Sequence, residues 1–338
     1  MVRGIATFAM GLALAGASTA GQAAAASYTN MFVFGDSLSD SGNAYDLTGG
    51  RIPAAPYAGG RFSNGPVYAE YMADRLKLPL DNALSGGTNY AFGGAETNSG
   101  VPTLLGQNPL SVQSQVNLFR AQHAFRGADP DALYVLFAGG NNLQRGIDAA
   151  AANPADAVGI RQSTANEAVN DIVGMVGSLQ RTGARHFLVP NVPPLGAAPT
   201  NSAVSALADS FSIDFNTQLV AAVASLNDPK VILFDTFGLS QRVLAQPLAF
   251  GFADVSSPCL TGGNYLGGST VCSDPGLHLF WDDLHLTTAG HELLAGEMLN
   301  TLQTPPPHPA PLPASIYLFG AAVAVLGGFS LKARALTN

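Results

Sequence analysis

The sequence has little charge, few cysteines and one tryptophan. Only 11% of its 338 residues are charged, and 15 Lys and Arg against 23 Asp and Glu give a formal net charge of −8. The basic residues form no cluster, which argues against nucleic acid as a partner because phosphate binding needs concentrated positive charge. The chain also lacks a P-loop, a His-Glu-x-x-His motif and a Gly-x-Ser-x-Gly motif. These absences argue against P-loop nucleotide hydrolases, zinc metalloproteases and hydrolases with a nucleophile elbow.

The two cysteines, Cys259 and Cys272, lie in one stretch rich in Gly, Ser and Pro. No further cysteine completes a zinc pattern, and no other group of residues has metal-ligand spacing, so we expect no metal and no cofactor. In an oxidising compartment the pair would form a disulfide that closes a short loop. Two free buried thiols are the alternative.

The N-terminus has the pattern of a secretory signal peptide over residues 1–26. Arg3 is followed by an apolar stretch from Ile5 to Ala17 and then by small residues that end at Ala26. A basic start, an apolar centre and a small-residue end are typical of segments that signal peptidase removes. The alternative is a buried N-terminal helix. The pattern predicts an exported protein whose mature domain covers residues 27–303.

The C-terminus has a second targeting pattern. Residues 304–314 form a Pro-rich linker, and residues 315–338 contain an apolar segment from Ile316 to Leu331 followed by Lys332 and Arg334. A Pro-rich segment is stiff and extended. The order of features resembles bacterial PEP-CTERM sorting signals, with Pro311–Ala314 as the motif, and that resemblance implies processing by an exosortase. An ordinary membrane anchor is the alternative, and either would leave the basic end on the cytoplasmic side.

Within the domain, apolar runs that read as strands alternate with segments of helical spacing. The predicted strands are Met31–Phe34, Asn89–Phe92, Ala132–Ala138, His186–Val189 and Val231–Phe234, and the predicted helices are Pro66–Leu76, Ser111–Phe125, Ala155–Gln180, Val204–Leu226 and Thr287–Leu302. This alternation predicts an α/β fold of three layers, with a mostly parallel central sheet between two layers of helices. Reactive residues are then expected in loops at the carboxyl ends of the strands.

Polar and glycine-rich segments follow three of these strands. Ser37 comes just after the first strand, in Gly35–Asn43; Gly93 and Gly94 follow the second; Gly139, Gly140, Asn141 and Asn142 follow the third. A serine needs a base to become a nucleophile, and glycine and asparagine turns can donate N–H groups to an oxyanion. Each segment taken alone also fits an ordinary polar turn.

A fourth segment, Phe280–Thr287, precedes the last helix. It contains Asp282, Asp283 and His285, so that a carboxylate lies close enough in sequence to orient an imidazole. The other ring nitrogen could then take the proton of a serine. Taken alone, this segment also fits a helix N-terminus beside a surface histidine.

Together the four segments resemble the sequence blocks of the GDSL family of lipases and esterases, also called SGNH hydrolases. The matching stretches are Phe34–Asp40, Asn89–Ala95, Gly139–Asn142 and Asp282–His285, in the family's order, and Gly60–Pro66 resembles a further segment of its larger members. The family has a flavodoxin-like three-layer fold. The resemblance implies a serine esterase or lipase that acts on lipid or acylated-glycan esters through an acyl-enzyme.

The resemblance also implies a role for each matching residue. Ser37 is the nucleophile, His285 the base and Asp282 its partner, with Asp283 a weaker candidate for that last role. The oxyanion hole is formed by the N–H of Ser37, the N–H of Gly94 (Gly93 as second choice) and the side chain of Asn141. Asn142 departs from the family, which usually has Asp there, and this puts local hydrogen bonding at that position in doubt.

Three other functions remain open on the sequence. The same residues could transfer the acyl group to an alcohol instead of water, or remove acetyl groups from a glycan. A non-catalytic surface protein with the same fold is the third. Such a protein would be expected to have lost Ser37, Asn141 or His285, and all three are present.

Overall fold

The computed structural model describes residues 27–98, 110–262, 265–267 and 269–304. The predicted signal peptide, and the predicted linker and apolar segment beyond Thr304, lie outside the described residues. Within them, no helix is both long and apolar enough to cross a membrane.

The central sheet has four parallel strands in the order β1-β2-β3-β4. They are β1 (Met31–Gly35), β2 (Leu133–Phe137), β3 (His186–Pro190) and β4 (Val231–Phe234). In β1 and β2 nearly every residue is buried, which is the pattern of strands covered on both faces. The sequence prediction of a parallel sheet is confirmed.

Helices cover both faces of the sheet. One layer consists of α3 (Val112–Gln122), α4 (Gly140–Ala152), α5 (Ala157–Thr182) and α6 (Ser205–Ser225), and the other of α2 (Tyr68–Leu76), α7 (Thr236–Ala245) and α8 (Thr288–Gln303). Alternate strand residues divide between the layers: Phe32 and Phe34 pack against the first, and Met31 and Val33 against the second. The two apolar cores that result confirm the predicted three-layer α/β/α fold.

Smaller elements complete the described structure. A short helix, α1 (Asn43–Leu47), follows the Ser37 segment, and β5 (Asp254–Pro258) pairs in parallel with β8 (His278–Phe280). Between them β6 (Leu260–Thr261) and β7 (Thr270–Val271) form a hairpin. Cys259 and Cys272 flank this hairpin and form a disulfide, as predicted.

The local structure differs from the sequence predictions in three places. Asn89–Phe92 is not a regular strand, because after its bridge to Val33 only the N–H groups of Tyr90 and Phe92 bond to the edge of β1. The Gly139–Asn142 segment, predicted as a turn, is the start of helix α4, with Gly139 as N-cap. Helix α7 follows β4 directly and was not predicted. The last helix, predicted from Thr287, has Thr287 as its N-cap, and the side chain of Thr287 accepts the N–H of Gly290.

Candidate active site

The end of β1 fixes the position of Ser37. The side chain of the buried Gln115, on α3, bonds both backbone groups of Gly35: the Gly35 N–H donates to Oε1 at 2.9 Å, and Nε2 donates to the Gly35 carbonyl at 2.8 Å. A Cβ atom at Gly35 would lie 2.4 Å from the carbonyl oxygen of Phe137, so only glycine fits between the two strands. Ser37 therefore leaves the strand in a fixed direction.

Ser37, His285 and Asp282 form one chain of hydrogen bonds. Nε2 of His285 lies 2.8 Å from Oγ of Ser37, and Nδ1 lies 2.8 Å from Oδ2 of Asp282. All three residues are buried, with exposures of 7%, 3% and 8%. Asp283 is exposed and makes no side-chain contact with the ring among the described interactions. The structure thus brings together the three residues predicted as nucleophile, base and orienting acid.

The turn that contains Asp282 and His285 is folded around the carboxylate. Oδ1 of Asp282 accepts the N–H groups of Leu284 at 2.8 Å and His285 at 2.6 Å, while Oδ2 accepts the hydroxyl of Tyr57 at 2.7 Å. Tyr57 was not predicted from the sequence. With the imidazole as a further partner, the carboxylate accepts from four donors, which satisfies a buried charge.

The imidazole of His285 lies among aromatic rings. The ring of Phe62 lies 5.3 Å from it and that of Tyr265 lies 6.0 Å from it. Ser63 donates to the carbonyl of Leu286, and Asn64 accepts the N–H of Thr288. The Gly60–Pro66 segment therefore supports the loop that contains His285.

Two of the three predicted oxyanion donors are backbone groups. The N–H groups of Ser37 and Gly94 have no hydrogen-bond acceptor among the described residues. Gly93 is excluded as the alternative, since its N–H donates to Asp40 at 2.8 Å. Gly94 has a φ of +80°, a conformation that only glycine adopts readily.

The third predicted donor, Asn141, lies in the first turn of α4. Its Nδ2 donates to the carbonyl of Ala95 at 3.0 Å, which fixes the amide and leaves a second N–H on the same nitrogen. The neighbouring Asn142 is buried and bonds Thr97 twice, accepting the backbone N–H at 3.0 Å and donating to the hydroxyl at 3.1 Å. An ionised Asp at position 142 could accept hydrogen bonds but could not donate one. The Asn therefore changes only the bond to the Thr97 hydroxyl and preserves the connection to residue 97.

The carboxylates near Ser37 have pKa values shifted in opposite directions. Burial alone would raise the pKa of Asp282, but its contacts with His285 and Tyr57 hold that pKa well below its usual range. Burial raises the pKa of Asp40 to about 6, although the N–H groups of Gly42, Asn43, Ala44 and Gly93 favour its charged form. Asp40 connects the Ser37 segment to the Gly93–Gly94 turn, a role the sequence analysis did not assign.

An apolar cavity of about 110 Å³ opens beside Ser37 and His285. Its walls come from the segment after β3, from α7, and from the segment between β8 and α8. The apolar lining residues include Val192, Leu195, Leu239, Val243, Leu244, Leu279, Leu284, Leu286, Leu293 and Leu294. No group of three or more His, Cys, Asp or Glu residues within the described ranges is arranged to hold a metal ion.

Comparisons with known proteins show which family this chain resembles. The sequence model of the family described as GDSL-like Lipase/Acylhydrolase matches residues 31–298. Lipase 1 from Photorhabdus luminescens is 27% identical over 82% of this chain, and a GDSL esterase/lipase from Arabidopsis thaliana is 28% identical over 80%. A phosphatidylcholine-sterol acyltransferase from Aeromonas hydrophila is 28% identical over 79% of the chain and 77% of its own length.

The chain spans 50% of the length of Lipase 1 and 86% of that of the Arabidopsis protein. The family match extends from the first residue of β1 into α8, so it includes every residue of the site described above. The chain therefore belongs to the family of GDSL-like lipases and acylhydrolases, a family of carboxylic ester hydrolases.

Proposed function

We propose that this protein hydrolyses carboxylic acyl esters through an acyl-enzyme on Ser37. The observation that carries the proposal is the hydrogen-bond chain from Oγ of Ser37 through His285 to Asp282, with 2.8 Å at each link. A nucleophile, a base within hydrogen-bond distance and a group that orients the base are the components of covalent acyl transfer.

In the proposed reaction, Oγ of Ser37 attacks the ester carbonyl carbon while Nε2 of His285 takes its proton. The tetrahedral intermediate then expels the alcohol, which receives that proton from His285, and the acyl group stays on Ser37 as an ester. A water molecule gives a proton to His285 and attacks this ester, releasing the carboxylic acid and restoring Ser37. Asp282 stays ionised and stabilises the imidazolium at each stage.

Asn141→Ala is expected to lower kcat by about 10²- to 10³-fold and to change KM little. The amide of Asn141 would donate to the oxyanion, whose charge is largest in the transition state, so its loss affects the chemical step more than substrate binding. Steady-state kinetics on a p-nitrophenyl ester measures both constants. A rise in KM with unchanged kcat would instead make Asn141 a ground-state binding residue.

The apolar cavity supports an acyl chain longer than acetyl as the group that Ser37 accepts. Its walls are lined mainly by Leu, Val and Pro side chains, and an acetyl group would leave most of this surface uncovered. Each methylene group buried there contributes about 0.8 kcal/mol. The substrate that fits best is an ester of a fatty acid, such as a lipid or a glycan that carries an acyl chain.

A chain-length series of p-nitrophenyl esters tests this assignment. We expect kcat/KM to rise by about fourfold per methylene from the acetate upward, until the cavity is filled. Val243→Phe, in the cavity wall, should lower the optimal chain length and leave acetate hydrolysis nearly unchanged. A wild-type optimum at acetate, together with release of acetate from an acetylated polysaccharide, would identify a glycan O-acetylesterase instead.

Transfer of the acyl group to an alcohol is the second candidate. It is supported by the similarity to the Aeromonas protein named as an acyltransferase, and the acyl-enzyme is common to both reactions. Product analysis with a sterol or a short alcohol added to the assay would separate them. An ester of the added alcohol as the main product would identify a transferase.

We further propose that the protein is exported, and that signal peptidase removes residues 1–26 and an exosortase processes the C-terminal segment. The disulfide Cys259–Cys272 supports export because such bonds persist in oxidising compartments. An apolar segment beyond residue 315 would carry an aggregation cost in water unless it is removed or held in a membrane. Intact-mass analysis of protein from the native host tests this, and a cytoplasmic species that retains both Met1 and Asn338 would contradict it.

A further inference from the structure

We propose that Tyr57 is a positioning residue for the catalytic triad of Ser37, His285 and Asp282. The Tyr57 hydroxyl holds the carboxylate of Asp282 in the orientation that His285 requires. The inference rests on the proposed function, since it assigns Tyr57 a part in the reaction of Ser37. It concerns a residue that none of the four family blocks contains, because Tyr57 lies between the first block and the Gly60–Pro66 segment.

The hydrogen-bond pattern around Asp282 carries the proposal. The Tyr57 hydroxyl donates to Oδ2 of Asp282 at 2.7 Å, and the same oxygen accepts Nδ1–H of His285 at 2.8 Å. Oδ1 is fixed by two backbone N–H groups of its own turn. Tyr57 is thus the only donor to this carboxylate, among the described residues, that comes from outside the Asp282–His285 turn.

The protonation states of Tyr57 and Asp282 favour the hydrogen bond between them. Burial, followed by the charge of Asp282, raises the pKa of Tyr57 far above its usual range, so the phenol keeps its proton at neutral pH. The same hydrogen bond helps to hold the pKa of Asp282 well below its usual range. A neutral donor therefore faces an ionised acceptor, and such charge-assisted bonds are stronger than neutral ones.

The ring of Tyr57 is held in place by other parts of the chain. It is 7% exposed and makes edge-on contact with Trp281 at 6.2 Å, and Tyr265 lies 5.6 Å away. Leu260 and the disulfide Cys259–Cys272 belong to the same cluster. The hairpin closed by the disulfide thus packs against the ring, which restricts the hydroxyl to the side of Asp282.

This arrangement predicts two effects of Tyr57 on the reaction. The Tyr57 hydroxyl restricts rotation of the Asp282 carboxylate, so that Oδ2 faces Nδ1 of His285 without reorganisation during the reaction. It also shares Oδ2 with Nδ1–H of His285, so its loss would change the charge that faces the imidazole.

Tyr57→Phe tests the proposal because it removes the hydroxyl and keeps the ring. We expect kcat to fall by about 10- to 100-fold, the usual effect of losing a hydrogen bond to a charged group, and KM to stay within about twofold. The acid limb of the pH profile of kcat/KM should shift, because the charge that faces Nδ1 of His285 changes. Normal kcat with an unmoved acid limb would overturn the proposal.

Tyr71→Phe is the matched control. Tyr71 also uses its hydroxyl in a hydrogen bond, 2.8 Å from Oγ1 of Thr288, but this bond joins α2 to α8 and does not involve the triad. We expect this variant to lose some stability and to keep both kcat and the position of the acid limb. Equal effects in the two variants would show that Tyr57 acts through general stability, and would overturn the proposal.

Variants in an Asp282→Ala background separate this inference from the proposed function. If Tyr57 acts through Asp282, then adding Tyr57→Phe to Asp282→Ala should cause no further loss of kcat, and a further loss of 10-fold or more would overturn the proposal. A fluorophosphonate probe reports on Ser37 independently. Failure of the wild-type protein to hydrolyse esters or to be labelled at Ser37 would overturn both assignments, whereas labelling of Ser37 with a fully active Tyr57→Phe variant would overturn only the role of Tyr57.

Discussion

Ser37→Ala is expected to lower kcat for ester hydrolysis by about 10⁶-fold, while the protein folds normally. The variant lacks the oxygen that forms the acyl-enzyme, and loss of the nucleophile typically has an effect of this size. Its fold should persist because the hydroxyl of Ser37 has no described hydrogen-bond partner other than His285. Hydrolysis of a p-nitrophenyl ester, measured with purified protein and checked by circular dichroism, gives both quantities.

Ser41→Ala is the control for this variant. Ser41 lies in the same segment as Ser37, and its hydroxyl donates to Asn82 at 2.7 Å instead of facing His285. We expect it to keep kcat within a few-fold and to lose about 1 kcal/mol of stability. Near-normal turnover by Ser37→Ala, or a phosphonate adduct on any other serine, would show that the nucleophile has been misassigned.

Asp282→Asn should give the second largest loss, about 10⁴-fold in kcat. An Asn amide can donate to Nδ1 of His285, which would place the ring proton on Nε2 and leave Ser37 without a base. The geometry of the site would be nearly unchanged, so KM should be affected much less. Steady-state kinetics at neutral pH measures the loss.

Asp283→Asn is the matched control, because it makes the same change one residue away. Asp283 is exposed and has no described side-chain contact with His285, so we expect its kcat to stay within a few-fold of wild type. This pair of variants also decides between the two carboxylates that the sequence left open. A large loss in Asp283→Asn with a mild one in Asp282→Asn would reverse the assignment.

The sequence predicted the layers of the fold and the position of the site, because both depend on local patterns. The strands β1 to β4 are short apolar runs with Gly, Pro or Asp at their end or within two residues of it, and such runs are typical of buried parallel strands. The segments that contain Ser37 and Asn141 directly follow β1 and β2. Because these strands are parallel, both residues lie at the same edge of the sheet. The disulfide was predictable because only one pairing of cysteines exists.

Other features were not predictable because they depend on contacts between distant residues or on mixed patterns. Helix α4 begins in Gly-Gly-Asn-Asn, residues of low helix propensity, and its assignment depends on burial of Leu143 and Ile147 against the sheet. The choice between Gly93 and Gly94 depends on the contact of Gly93 with Asp40. Tyr57 lies 225 residues from Asp282 in a Gly- and Pro-rich segment, so its contact with Asp282 leaves no signal in one sequence.

The wide separation of the nucleophile and its base along the chain determines when the enzyme can become active. Ser37 and His285 are 248 residues apart, and the loop that contains His285 is placed by α8 packing against α2. A chain emerging from a ribosome or a translocation channel therefore carries its nucleophile long before its base, and domains fold as units once their last elements are available. If Ser37 acts as proposed, hydrolytic activity begins only after the last helix docks, so an unfinished chain is inactive toward the esters around it.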